Sequence, residues 1–199
     1  MADLEKTGKN LEGRGFRVHR FASGAEAAEF LVQTLHGTSI GIGGSVTIDT
    51  LGVYDRLCGS NEVFWHWKNH APETRERAGK AETYLCSANG VSENGEIVNI
   101  DGFGNRVAGT IYGPERVFLV VGRNKIAPDL TGAIDRARNI AAPLNARRLN
   151  RHTPCAVGEP RCRDCRSPEK VCGVMTVFFM PPTSIKEFHV ILVDEDLGY

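Results

Sequence analysis

The chain has 199 residues, of which 41% are hydrophobic, and its 24 basic and 24 acidic side chains leave no formal net charge. This neutral balance gives no sign of a nucleic-acid-binding protein. The amino-terminal segment lacks an apolar signal region, and apolar runs such as 117–121 are far below the roughly 20 residues that a bilayer requires. We therefore expect one soluble cytoplasmic domain over residues 1–199, with no membrane partner.

Strand-like and helix-like segments alternate from the start of the chain. Residues 17–21 are predicted as a strand, and Ser23 with Glu26 forms a capping box ahead of a helix. A second strand over 38–42 ends at a glycine turn, and residues 46–57 are expected to be helical. This order indicates strand–helix units.

The later segments continue the pattern. Residues 83–87 and 117–122 have the continuous apolar character of buried parallel strands. Apolar residues at helical spacing predict a helix over 129–142 that Pro143 ends. A final pair of strands is predicted at 174–179 and 188–193. Together the segments predict an α/β fold with a mainly parallel sheet and helices on both faces.

Four of the six cysteines follow a C-x6-C-x2-C-x6-C spacing inside a cysteine-rich loop at 150–173, ahead of the last strands. A reducing compartment disfavours disulfides, so the spacing favours a metal site. Structural zinc sites usually present two close cysteine pairs, whereas cysteine-only ligation is typical of [4Fe–4S] clusters. The spacing also resembles the iron–sulfur loop of endonuclease-III-type DNA glycosylases. An iron–sulfur cluster is the leading interpretation, with zinc and metal-free thiols as alternatives. The predicted ligands are Cys155, Cys162, Cys165 and Cys172.

Polar and glycine-rich turns follow several predicted strands, where ligands bind in parallel sheets. The turn at 41–47 joins glycines to hydroxyl side chains, an arrangement suited to phosphate or carboxylate. The segment at 87–106 is rich in asparagine, and its Asn94-Gly95 pair predicts a type I′ hairpin. Lys125 would add positive charge. The predicted ligand-binding residues are Gly43, Gly44, Ser45, Thr47, Asn89, Asn99, Asp101, Gly104, Asn105, Asn124 and Lys125.

Several motifs carry a resemblance to a known family. NIDGFGNRVA at 99–108, YGPERV at 112–117, VGRNKIAPDL at 121–130 and VILVDEDLGY at 190–199 resemble the LUD domain of lactate-utilisation proteins. The similarity spans roughly residues 14–199 and points to the short stand-alone form with a cysteine cluster. It implies the fold of the ribose-5-phosphate isomerase, glucosamine-6-phosphate deaminase and CoA-transferase superfamily. It also implies a link to L-lactate oxidation, and ligands that carry a carboxylate, a phosphate or a CoA ester.

No catalytic residue can be carried over from that superfamily. CoA-transferases use a glutamate nucleophile, and Glu93 falls in the predicted hairpin. Sugar-phosphate isomerases often place an acid at the strand end where this chain has Asn89, and an amide cannot act as a general base. Catalytic residues therefore stay unassigned, and the sequence leaves open whether the protein is an enzyme.

Three functional hypotheses follow. The first is an accessory or electron-transfer component of lactate or other 2-hydroxy-acid utilisation, with a redox partner protein. The second is a small-molecule enzyme of the isomerase or CoA-transferase type, and the third is a ligand-sensing regulatory module. A homo-oligomer is compatible with each. His66 and His70, four residues apart beside Trp65 and Trp67, could bind a metal on a helix, but an aromatic surface or interface patch is the leading interpretation.

Overall fold

The computed structural model describes residues 2–199, which form two sheets and a set of short helices. The strands are β1 (Arg17–Phe21), β2 (Ser39–Ile42), β3 (Glu62–Trp65), β4 (Thr83–Ser87), β5 (Gly90–Ser92), β6 (Ile97–Asp101), β7 (Arg116–Gly122), β8 (Ile126–Ala127), β9 (Val174–Phe178) and β10 (Glu187–Val193). The helices are α1 (Leu4–Gly13), α2 (Gly24–Thr34), α3 (Val46–Leu51), α4 (Tyr54–Cys58), α5 (Thr74–Lys80), α6 (Asn105–Ile111), α7 (Leu130–Arg136), α8 (Ala142–Arg148) and α9 (Pro154–Val157).

The main sheet has six strands in the order β1-β10-β7-β4-β2-β3, and every neighbouring pair is parallel. Alternate side chains of β7 point into opposite cores, because strand side chains alternate between faces. Val117, Leu119 and Val121 join the core that α1 covers, whereas Phe118 and Val120 join the core that α2, α3 and α4 cover. Burial on both faces explains the continuous apolar run of β7 and confirms the predicted α/β class.

A smaller sheet of four strands, in the order β8-β5-β6-β9, packs against the first of these cores. Both predicted final strands are present, but β9 pairs antiparallel with β6 and not with β10. The two strands lie in different sheets because β10 is already flanked on both sides by the parallel strands β1 and β7. The residues between them carry the chain from one sheet to the other.

The β5–β6 hairpin exists as predicted, but its turn is not type I′. The Ser92 amide donates to the Glu96 carbonyl, which leaves a three-residue loop, and only Gly95 within it has a positive φ, of 91°. A type I′ turn would require positive φ at both central residues. Glu93, in this loop, forms an ion pair with Lys6 of α1.

Two helix predictions also need correction. Gly52, with φ of 63°, divides the predicted helix at 46–57 into α3 and α4. Pro143 does not end the later helix: α7 continues through a π-helical segment, Ala137–Ala141, directly into α8. Pro143 is the second residue of α8 and directly follows the π-helical segment. No helix within residues 2–199 is long and apolar enough to cross a membrane.

Candidate functional site: a basic cavity beside a cysteine-lined cavity

A cavity of about 590 Å³ opens at the carboxyl edge of the main sheet. Its wall is built from the segments that follow five of the six parallel strands. Residues 44–47 follow β2, His66 and Trp67 follow β3, and residues 87–89 follow β4. Lys125 follows β7, and Tyr199 follows β10. The parallel sheet thus gathers loops from distant parts of the chain around one space.

Seven of the eleven predicted ligand-binding residues lie on the wall of this cavity. Their ligand-binding role stays a prediction, but their shared position on the wall of one cavity is a feature of the fold. They are Gly44, Ser45, Thr47, Asn89, Asp101, Asn105 and Lys125.

The other four, Gly43, Asn99, Gly104 and Asn124, support the wall from behind. A Cβ on Gly43 would lie 3.0 Å from the Tyr84 hydroxyl, and Asn99 is fully buried with its Oδ1 accepting from Arg106 at 3.2 Å. Gly104 has a φ of 92° and precedes α6. The Asn124 side chain accepts from the Leu197 amide and donates to the Gly198 carbonyl, both at 3.1 Å. These residues shape the site without facing it.

Lys125 is the most unusual side chain of the wall, because it is only 3% exposed and has no carboxylate partner within residues 2–199. Its Nζ donates to the Thr47 and Ser87 hydroxyls, each at 2.8 Å. Burial holds the pKa of Lys125 well below its ordinary value, and the positive charges of Arg136 and Arg106 lower it further. A buried amine of this kind marks a candidate functional site.

Arg106 also lies on the wall, and its guanidinium donates only to neutral oxygens. Nη1 donates to the Ser87 carbonyl and to Asn99 Oδ1, both at 3.2 Å. Nη2 donates to Asn89 Oδ1 at 2.8 Å and to the Ile100 carbonyl at 2.5 Å. Arg106 thereby ties the end of β4 to the end of β6 and fixes the Asn89 side chain.

Arg136, from α7, adds a further buried positive charge behind the wall. Its Nε donates to the Asn124 carbonyl at 2.7 Å, and its Nη1 donates to the Asn89 carbonyl at 2.6 Å. Burial lowers the pKa of Arg136 to about 10. Asp101, an acid on the cavity wall, accepts hydrogen bonds from the backbone amides of Arg106 and Val107 at the start of α6. Asp101 therefore acts as a helix cap and offsets only part of the buried positive charge.

The outer part of the cavity is basic and aromatic. Arg148 lies over the Trp67 ring at 4.6 Å, and Arg75 lies over the Phe103 ring at 5.0 Å. Phe103 is 76% exposed at the mouth. The acidic lining residues are Asp101 and Glu169. The basic ones are Arg75, Arg106, Lys125, Arg148, Arg151 and Lys170. Such an excess of positive charge attracts an anionic ligand.

The aromatic surface patch expected around residues 65–70 is wrong. Trp65 is fully buried in the core, and its neighbours form a turn after β3 instead of a helix. His66, Trp67 and His70 line the cavity. Burial, with a contribution from Arg75, lowers the pKa of His66.

All four clustered cysteines line a second cavity, of about 320 Å³. Its apolar wall includes Ile100, Ile134 and Met175, and Arg138 donates to Cys162 Sγ at 3.6 Å. Burial raises the pKa of Cys172. Within residues 2–199, no three His, Cys, Asp or Glu side chains are arranged to hold a metal ion. The metal centre stays a prediction, whereas the convergence of the four thiols on one cavity is a feature of the fold.

The two cavities share a wall. Lys170 lines both of them, and residues 168–171 face the basic cavity while Cys165 and Cys172, on either side of that segment, face the other. On β6, Ile100 lines the cysteine cavity and Asp101 lines the basic one. One short segment of the cysteine-rich loop therefore separates the thiols from the anion-attracting space.

Fold and site together define an α/β protein with a basic cavity at the carboxyl edge of a parallel sheet and a cysteine-rich loop beside it. The family model of the LUD domain matches residues 4–193, and the chain belongs to this family. A crystal structure of a DUF162 family protein from Deinococcus radiodurans is similar at 14% identity, with a TM-score of 0.57. That similarity covers 96% of this chain and 95% of the other, and it shows the fold alone. No curated protein matches.

Proposed function

We propose that the protein is an electron-transfer component of 2-hydroxy-acid utilisation, L-lactate in particular, with a [4Fe–4S] cluster held by Cys155, Cys162, Cys165 and Cys172. One observation carries this proposal: these four thiols line one cavity, and the remaining two cysteines do not. Membership of the LUD family supports the link to lactate.

The donor set fits an iron–sulfur cluster better than a zinc ion. A tetrahedral zinc site with Zn–S bonds of about 2.3 Å needs sulfurs only about 3.8 Å apart. Here the four thiols line a cavity of about 320 Å³, and their spacing lacks the two close cysteine pairs that structural zinc sites usually present. A [4Fe–4S] cluster is larger and takes its cysteines on separate sides. Arg138, Arg163 and Lys170, against the acid Asp164 on the same wall, would offset part of the thiolate charge.

The position of the cavity supports a redox role. Bound there, a cluster would supply one-electron transfer. Residues 168–171 form the wall between the two cavities, so an anion bound in the basic cavity would lie close to the cysteine-rich loop. Lys170, which lines both cavities and donates to the Cys165 carbonyl at 3.4 Å, would place positive charge between the two.

Iron analysis of protein purified without oxygen tests the proposal. Wild-type protein should hold about four iron and four sulfide per chain and give an electron paramagnetic resonance signal after dithionite reduction. Cys165→Ala should lose most of the iron. Cys58→Ala is the matched control, since Cys58 is exposed and away from the cavity, and it should keep the iron. Stoichiometric zinc without iron in the wild-type protein, or full iron in Cys165→Ala, would refute the cluster.

The lactate link has a separate test. A strain of the source organism that lacks the gene should grow on glucose but poorly on L-lactate. Wild-type protein and Cys58→Ala should restore growth, whereas Cys165→Ala should not. Normal growth of the deletion strain on L-lactate would contradict the proposed role even if the cluster is present.

A specific observation favours a second candidate function, that of a small-molecule enzyme acting in the basic cavity. Lys125 is buried beside Arg106 and Arg136 with only hydroxyl partners. Structural lysines are seldom buried without a carboxylate, because the charge loses its hydration. The amine therefore suits chemistry on a bound anion better than it suits a purely structural role.

A further inference from the structure

We infer that Lys125 is a nucleophile whose amine forms an imine with a small anionic carbonyl compound bound in the basic cavity. This inference deepens the second candidate function, and it does not depend on the cysteine cavity. The carbonyl compound would carry a carboxylate or a phosphate close to its C=O group.

The hydrogen bonds of Lys125 fit a neutral amine. The Thr47 hydroxyl donates to the Leu197 carbonyl at 3.2 Å, and the Ser87 hydroxyl donates to the Ala88 carbonyl at 3.3 Å. Each hydroxyl has only one proton, so each must accept from Lys125. A neutral amine has two N–H groups, which these two oxygens satisfy, and its lone pair remains free. A protonated ammonium would have a third N–H with no partner in the wall.

The surroundings of Lys125 favour the form of the amine that reacts. Only an unprotonated lysine attacks a carbonyl carbon, and enzymes achieve this state by desolvation and by neighbouring cations. Lys125 has both features, since it is almost fully buried and lies near Arg136 and Arg106. Lys125 lines the cavity together with Thr47 and Ser87, the two residues whose hydroxyls lie 2.8 Å from its Nζ.

The same surroundings specify the ligand class. Arg136 is buried and Arg106 is half-buried, neither has a carboxylate ion pair, and Arg75 and Arg148 add charge nearer the mouth. An anionic group would be held by this positive charge, while the amine requires an electrophilic carbonyl. Two kinds of metabolite combine these groups: 2-oxo acids and carbonyl-bearing phosphate esters. The cavity, at about 590 Å³, has room for either.

The reaction balances without an added oxidant or reductant. The Nζ lone pair forms a bond to the carbonyl carbon, the C=O π bond opens, and the oxygen takes one amine proton to give a carbinolamine. Loss of the new hydroxyl with the second amine proton releases one water and leaves a C=N bond. The Ser87 hydroxyl, 2.8 Å from Nζ, is placed to pass these protons.

Reductive trapping of the wild-type protein tests the inference. Sodium cyanoborohydride transfers hydride to an imine carbon and converts the adduct into a stable secondary amine. Pyruvate represents the 2-oxo acids, and dihydroxyacetone phosphate represents the phosphate esters. Peptide mass spectrometry then measures labelling at Lys125 against two internal references. Lys80 is exposed on α5, and Lys170 lines the same cavity but is less buried.

At neutral pH, at least one of the two compounds should label Lys125 about tenfold faster than Lys80 or Lys170, because only a neutral amine reacts. Inorganic phosphate should slow this labelling by competition. Lys125→Met and Lys125→Arg should both abolish the fast phase, although arginine keeps the positive charge. Labelling of Lys125 no faster than that of Lys80 with both compounds would overturn the inference. Iron measured in the same samples separates this outcome from failure of the redox proposal.

Discussion

Inorganic phosphate binding to a Lys125→Ala variant provides a direct measure of what the buried amine contributes to anion affinity. Lys125 lies near the guanidiniums of Arg106 and Arg136, so a bound anion should draw a proton onto the amine and then accept a charge-assisted hydrogen bond from it. Such a bond contributes roughly 1.5 to 3 kcal/mol. Its loss should raise the dissociation constant about 10- to 150-fold. Arg106 and Arg136 would still provide the remaining attraction.

Isothermal titration calorimetry at low salt, repeated in buffers of different ionisation enthalpy, measures both the affinity and the protons taken up. Wild-type protein should take up protons on binding phosphate, and its affinity should fall as the pH rises, because the lowered pKa of Lys125 makes the amine harder to protonate. Lys125→Ala should lose this extra proton uptake. Lys80→Ala, on the exposed end of α5, is the control. Unchanged affinity in Lys125→Ala, or loss of iron from it, would show that Lys125 does not serve the basic cavity.

Two further predictions concern stability. The His19 and His189 rings hydrogen-bond at 2.9 Å, and burial lowers the pKa of both. The unfolded chain therefore binds more protons than the folded one, so the free energy of unfolding should fall as the pH drops below about 6.5. Urea unfolding should show this fall, and it should be smaller in His189→Gln. An unfolding midpoint that does not change with pH would contradict this. A Cβ on Gly41 would lie 1.9 Å from the Ala78 carbonyl, so Gly41→Ala should destabilise the protein by at least about 2 kcal/mol. Gly79→Ala, in open space on α5, should be neutral or slightly stabilising, and equal melting temperatures of the two variants would refute the packing argument.

The sequence by itself determined the features that depend on local pattern. The apolar run of β7 predicted a strand buried on both faces, and the glycine and hydroxyl residues at 44–47 predicted a turn at the sheet edge. Both follow from alternation and backbone freedom within a few residues, so no distant contact was needed. The close spacing of the four cysteines likewise predicted that their thiols would face a common space.

Only the tertiary structure decided which charges meet at the basic cavity. Arg136 lies inside a helix with no local sign of function, yet it reaches the carbonyls of Asn89 and Asn124. Lys125 has the sequence context of an ordinary loop lysine, and its burial depends on hydroxyls from Thr47 and Ser87, far away along the chain. Hydrophobic period and turn chemistry are local properties, whereas desolvation and the charge around an amine depend on which distant segments pack together.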